Sequence, residues 1–101
     1  SVKVITVEPG HRLSLQRHEH RDEWWQILDD GLVVEVAGVS RVCVVGERVW
    51  IPRGSTHRVS NSAATARRFL EIAFGEFDEC DIERLEDDYR RQDRAGDARC
   101  A

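Results

Sequence analysis

Methionine is absent from this chain, tyrosine occurs once and proline only twice. The missing initiator sets the expectation of a processed chain or an excerpt, with an upstream domain left open. No apolar run approaches the roughly 20 residues that a helix needs to cross a bilayer. No charged-then-apolar leader opens the chain either, so the expectation is a cytoplasmic protein without a membrane partner. Cysteine is sparse and odd in number: Cys43, Cys80 and Cys100, with no Cys-x-x-Cys spacing. That pattern argues against a disulfide framework and agrees with the cytosol. Cys43 stands among valines and reads as a small apolar packing residue, and Cys100 as an idle exposed thiol. A surplus of positive charge is lacking as well. Lys and Arg total 15 against 19 Asp and Glu, a formal net charge of −4 with the signs mixed. Nucleic acid is thereby excluded as the principal partner, because phosphate backbones require a basic face.

What is present is a chain of 101 residues, 41% hydrophobic, long enough for one domain with a modest core. Residues 1–89 are read as that domain and 90–101, charged and poor in apolar residues, as a flexible tail. Strands are expected at Val2–Val7, Arg12–His18, Trp24–Leu28, Leu32–Val36, Val39–Val45, Arg48–Ile51, His57–Ser60 and Arg67–Phe74. Short strands at regular spacing, punctuated by Gly and Pro, mean an all-β sandwich or barrel. Asp81 is placed to cap a short helix with Ile82, Leu85 and Tyr89 on one stripe.

Two stretches carry chemistry. The first spans Gly46 to Asn61 and has the form G-x5-P-x-G-x2-H-x3-N. Gly46 supplies a turn, Pro52 and Gly54 a tight corner, and that corner presents His57 at the start of the next strand. The second, about 30 residues upstream, runs from Gly10 to Glu23. Alternation there puts Gln16 and His18 on one strand face, and Glu23 follows a charged bend. Two imidazoles, a carboxylate and an amide oxygen form a donor set that suits a divalent first-row metal.

Together these stretches resemble the cupin signature, with Gln16 standing where the first motif usually has histidine. The run from Val2 to Trp25, containing Arg12-Leu13-Ser14-Leu15-Gln16-Arg17-His18-Glu19-His20-Arg21, is similar to the C-terminal cupin domain of type II phosphomannose isomerases. In the bifunctional enzymes that domain is joined to GDP-mannose pyrophosphorylase. The tail Glu79-Cys80-Asp81-Ile82-Glu83-Arg84-Leu85-Glu86-Asp87-Asp88-Tyr89 resembles the family's as well, so the likeness covers nearly the whole chain. Trp24 departs from it, standing where histidine is usual.

The resemblance implies a double-stranded β-helix, the cupin jelly roll. It implies that Gln16, His18, Glu23 and His57 hold a divalent metal. Zinc suits redox-neutral chemistry, and manganese, nickel, cobalt or iron fit the same ligands. The implied activity is aldose–ketose isomerisation of a mannose-6-phosphate-like sugar phosphate. Arg58, which matches a family arginine, and Arg53 are expected to hold the phosphate. His20 is the titratable residue left for proton transfer. A non-catalytic sugar- or metabolite-binding barrel and an iron-dependent oxygenase are the alternatives. The chain has no Gly-rich nucleotidyl-transfer loop. Trp24, Trp25 and Trp50 read as core or interface anchors, and with the open edges of a jelly roll they make a homodimer the expectation.

Overall fold

The computed structural model describes residues 1–76 and 80–88. Among these, every regular element is a strand. The order is β1 (Val2–Val7), β2 (Leu15–Arg17), β3 (Arg21–Ile27), β4 (Leu32–Val36), β5 (Val39–Val42), β6 (Arg48–Ile51), β7 (His57–Asn61), β8 (Arg67–Gly75) and β9 (Glu83–Glu86). They form a four-stranded sheet in the order β1-β8-β3-β6 and a five-stranded sheet in the order β5-β4-β7-β2-β9. The pairings are antiparallel throughout.

Alternation along the strands decides what lies between the sheets. In β3, Glu23, Trp25 and Ile27 are buried while Asp22, Trp24 and Gln26 are only half-buried. In β8, Phe69, Glu71 and Ala73 are buried on the same side. The facing sheet supplies Leu32, Val34 and Val59 to one continuous core. Such period-two burial follows from the pleat. Phe69 and Trp25 meet at 4.6 Å between ring centroids in the middle of it.

Several elements differ from their sequence-based bounds. The second strand contracts to Leu15–Arg17, leaving Arg12 in an isolated bridge to Ser60. The third begins at Arg21 rather than Trp24, because the charged residues there pair with the end of β8. The fifth stops at Val42, where a turn begins that is held by Glu47 accepting the Val44 amide. The C-terminal helix is replaced by β9, which pairs with β2 in an irregular register. Arg12–Asp88, Arg17–Glu83 and Arg58–Glu86 ion pairs fasten this segment to the barrel. Cys43 is buried and free, as expected. Cys80 is disulfide-bonded, contrary to the sequence reading. Tyr89, Cys100 and the tail at 90–101 lie outside the described residues.

Candidate metal centre

The Pro52–Gly54 corner does more than launch a strand. The Gly54 amide, on a residue with φ +81°, donates to the His18 carbonyl at 2.6 Å. The corner thus fixes the second motif's histidine to the first motif's backbone. Ser55 caps the corner by donating its hydroxyl to the Pro52 carbonyl at 2.6 Å. At the other rim, Gly75 has φ +116°, and a Cβ there would sit 2.5 Å from the His20 carbonyl. Only glycine fits that crossing of β8 and the β2–β3 bend.

His18, Glu23 and His57 converge. One ligating atom from each lies within 4.8 Å of the others, and all three residues are buried. Glu23 comes from the four-stranded sheet and the two histidines from the five-stranded side. Each ring is oriented through Nδ1: His18 donates to the Asp81 carbonyl at 2.6 Å and His57 to the Ser55 carbonyl at 3.3 Å. Both Nε2 atoms therefore turn inward, 3.3 Å and 3.6 Å from Glu23 Oε2. Carbonyl-held Nδ1–H groups of this kind set the tautomer that leaves Nε2 as a donor.

Glu23 is fixed from the opposite side, its Oε1 accepting the Trp25 indole N–H at 3.2 Å. Its Oε2 is buried and receives no hydrogen bond. A buried carboxylate oxygen without a donor is costly. The Arg21 Nε at 3.8 Å offers only longer-range attraction. A divalent cation would satisfy that oxygen and both imidazoles at once, so the donor set fits a metal. Arg21 Nη2, 2.9 Å from His18 Nε2, is the competing partner the ion would displace.

Burial pushes His57 down to about 4, with repulsion from His18 adding to it. Burial likewise lowers His18, against its bond to Asp81. Both rings are accordingly neutral near pH 7, the form that ligates metal. Glu71, adjacent to Glu23, is pushed up to about 7 by burial first and then by its carboxylate neighbour. Ionised together, the two acids have no donor between them. A proton on Glu71 supplies one.

Above this cluster opens a cavity of about 220 Å³. His57, Gln16 and Glu71 line it, while His18 and Glu23 are not among its lining residues. Gln16 stands opposite His57 in the sheet and directs its amide N–H to the Ser14 hydroxyl at 3.2 Å. Lys3, Arg21, Arg58 and Arg84 bring four cations to the wall. Arg58 lines the cavity, braced by the Leu13 carbonyl at 2.9 Å.

Arg53 does not reach it. It is held by Asp22 through its backbone N–H at 2.7 Å and its guanidinium at 3.0 Å. His20 is exposed and lies outside the lining, with its amide donating to the Asp81 carboxylate at 2.9 Å. Sequence reasoning missed Glu71, Lys3, Arg21 and Arg84. For Glu71 a signal existed, since it occupies the inward phase between Phe69 and Ala73.

Two facing antiparallel sheets, with two histidines and a glutamate converging between them, define a cupin domain. The chain belongs to the family described as Mannose-6-phosphate isomerase C-terminal, which it matches over residues 1–87. The alginate biosynthesis protein AlgA of Pseudomonas aeruginosa is 40% identical over 91 residues, covering 89% of this chain and 19% of that protein. Mannose-1-phosphate guanylyltransferase ManC of Salmonella typhimurium is 36% identical over 91 residues, with the same two coverages. This chain thus spans about a fifth of the length of those relatives. The capsular polysaccharide assembling protein CapF from Staphylococcus aureus shares the fold with a TM-score of 0.76. It is 22% identical, over 85% of this chain and 28% of that one.

Proposed function

We infer that this domain binds a mannose-6-phosphate-like sugar phosphate and interconverts its aldose and ketose forms. The observation that carries the reading is the cavity itself, where His57 of the donor cluster meets four cations and one carboxylate. His18, Glu23 and His57 would hold a divalent ion, with the Gln16 amide oxygen as a fourth donor. Such an ion supplies Lewis-acid polarisation of a carbonyl or hydroxyl oxygen. Zinc remains the first choice and the cytoplasm the compartment.

The residues of the chain do the rest. Arg58 and Arg84 offer guanidinium forks to a phosphate, and Lys3 adds a third cation at the mouth. Anchoring the phosphate there holds the sugar's reacting end toward His57. Glu71 is the acid that lines the cavity, and it replaces His20 as the proton carrier. In its ionised form it takes the proton from C2 of the aldose, leaving an enediolate. It returns that proton to C1 while the hydroxyl proton passes from O2 to O1, giving the ketose with no net proton change.

A second reading is favoured by the guanylyltransferase name of a relative matched over only a fifth of its length. Here the domain holds a sugar phosphate without turnover, as a module beside nucleotidyl-transfer chemistry. Assay of mannose 6-phosphate conversion after loading zinc, manganese, cobalt, nickel or iron separates the two. Turnover that vanishes in His57→Ala, and in Glu71→Gln with its metal retained, is the expected result. Saturable sugar-phosphate binding with no conversion under any metal would overturn the isomerase reading in favour of the binding module. Oxygen consumption by the iron-loaded protein would move it to the oxygenase class.

A further inference from the structure

Arg21 stands between the cavity and the donor cluster: it lines the first and hydrogen-bonds to the second. Arg58 donates to two main-chain carbonyls, of Leu13 and Glu86, and Lys3 stands 3.6 Å from the Glu71 carboxylate. Arg21 instead gives its Nη2 proton to His18 Nε2 at 2.9 Å. That nitrogen accepts because Nδ1 of the same ring holds its proton toward the Asp81 carbonyl. The rest of the guanidinium is poorly matched. Its Nε is buried without a hydrogen bond among the described residues, 3.8 Å from a Glu23 oxygen that also has none. The main chain beneath is fixed. Arg21 pairs with Gly75, where an added Cβ would stand 3.2 Å from the Arg21 Cα.

We propose that Arg21 is a cation with two positions that couples metal binding to anion binding. A divalent ion takes its place at His18, and the displaced guanidinium joins Arg58 and Arg84 in holding a tetrahedral oxyanion in the cavity. This rests on the reading of that cavity as a sugar-phosphate site. The displacement follows from the donor count. His18 Nε2 has one lone pair, and a guanidinium cannot give up its charge to share it. Ion and guanidinium would also be like charges within a hydrogen-bond length of each other. The destination follows from the position. Arg21 already borders the cavity, so turning its side chain carries the head group there without moving the anchored strand. An oxyanion offers the guanidinium a paired fork that a single imidazole nitrogen cannot. Each ligand then favours the arrangement the other needs, and the coupling is reciprocal.

Calorimetric cobalt titrations of the chelator-treated 101-residue chain test both halves. The anion probe is inorganic sulfate, with chloride at matched ionic strength as the reference. Wild type is expected to bind cobalt about fivefold or more tightly in sulfate. Arg21→Ala is expected to bind cobalt about tenfold more tightly than wild type in chloride, and to gain little from sulfate. Arg21→Leu, which keeps bulk without charge or a ligating atom, serves if Arg21→Ala fails to fold. Weaker cobalt binding in the variants would make Arg21 a brace for His18 and overturn the proposal. A sulfate effect of wild-type size in a variant would put the anion on the metal itself and overturn it too. So would a wild type that takes no cobalt or shows no sulfate effect. The isomerase reading fails separately, by absence of turnover with the coupling intact.

Discussion

The two sheets divide the chemistry of the site between them. The four-stranded sheet contributes acids, Glu23 and Glu71, each flanked by buried apolar neighbours. The five-stranded sheet and its margins contribute imidazoles, His18 and His57, each oriented by a backbone carbonyl. Neither sheet alone assembles donors of both kinds. The acids hold their positions through core packing, whereas the histidines hold theirs through hydrogen bonds made by turns. Packing faults should therefore damage the whole fold, and turn faults should damage metal affinity while sparing it.

The largest effect is expected from breaking the seam. Phe69 is fully buried against Trp25, and Phe69→Ala should cost about 3–5 kcal/mol. For a domain of this size that is a fall in Tm of roughly 12–40 °C, measurable by calorimetry. Next comes loss of an imidazole. His57→Ala should weaken zinc or cobalt binding by more than about a hundredfold, read by titration calorimetry, while the far-UV spectrum stays unchanged. A retained affinity would remove His57 from the ligand set. Asp81→Ala tests the turn more gently. Its carboxylate holds the Glu19 and His20 amides, and its carbonyl holds His18. Loosening that clamp should cost about tenfold in metal affinity, with a matching change in the visible spectrum of the cobalt form.

The acids and imidazoles also oppose one another in pH. His57 titrates at about 4 folded, against 6.5 for a free imidazole. Between those values the unfolded chain holds more protons, so this residue makes stability rise with pH. Glu71 titrates at about 7 folded, against 4.5. Between those values the folded chain holds more protons, so this residue makes stability fall with pH. In chelator-treated wild type the two slopes should largely offset each other across their overlap. Glu71→Gln should expose the histidine slope, with urea midpoints dropping as pH falls from 6.5 toward 4. A profile in that variant as flat as wild type's would contradict the assignment. The smallest effect is expected of Arg53→Ala. The side chain is open and bound to Asp22 outside the cavity, so stability should move by no more than about 0.5 kcal/mol. Sugar-phosphate affinity should be unchanged, in contrast to Arg58→Ala.

Much of this was legible in the sequence because turn residues carry local information. Gly46, Pro52 and Gly54 announce the corner that sets His57, and alternation through Gln16 and His18 gives their common face. Glu23 was legible as a residue but not as a strand position, since Arg21 and Asp22 enter a strand only by pairing with β8. Glu71 was hidden by its type. A lone glutamate in an apolar strand is ordinarily read as facing solvent, and only the inward phase of Phe69 and Ala73 points the other way. Arg84 was out of reach because Ile82 and Leu85 fit a helical stripe. The strand there is imposed by β2, a partner more than 60 residues away.

That last strand bears on the order in which the site comes into being. His18 and Asp81 are 63 residues apart, and closing so long a loop is slow relative to forming neighbouring hairpins. A chain emerging from the ribosome presents Gln16, His18, Glu23 and His57 well before the segment that orients His18 and supplies Arg84. The fold can gather its metal donors early, but the cavity wall is finished only after the segment carrying Asp81 and Arg84 has been made.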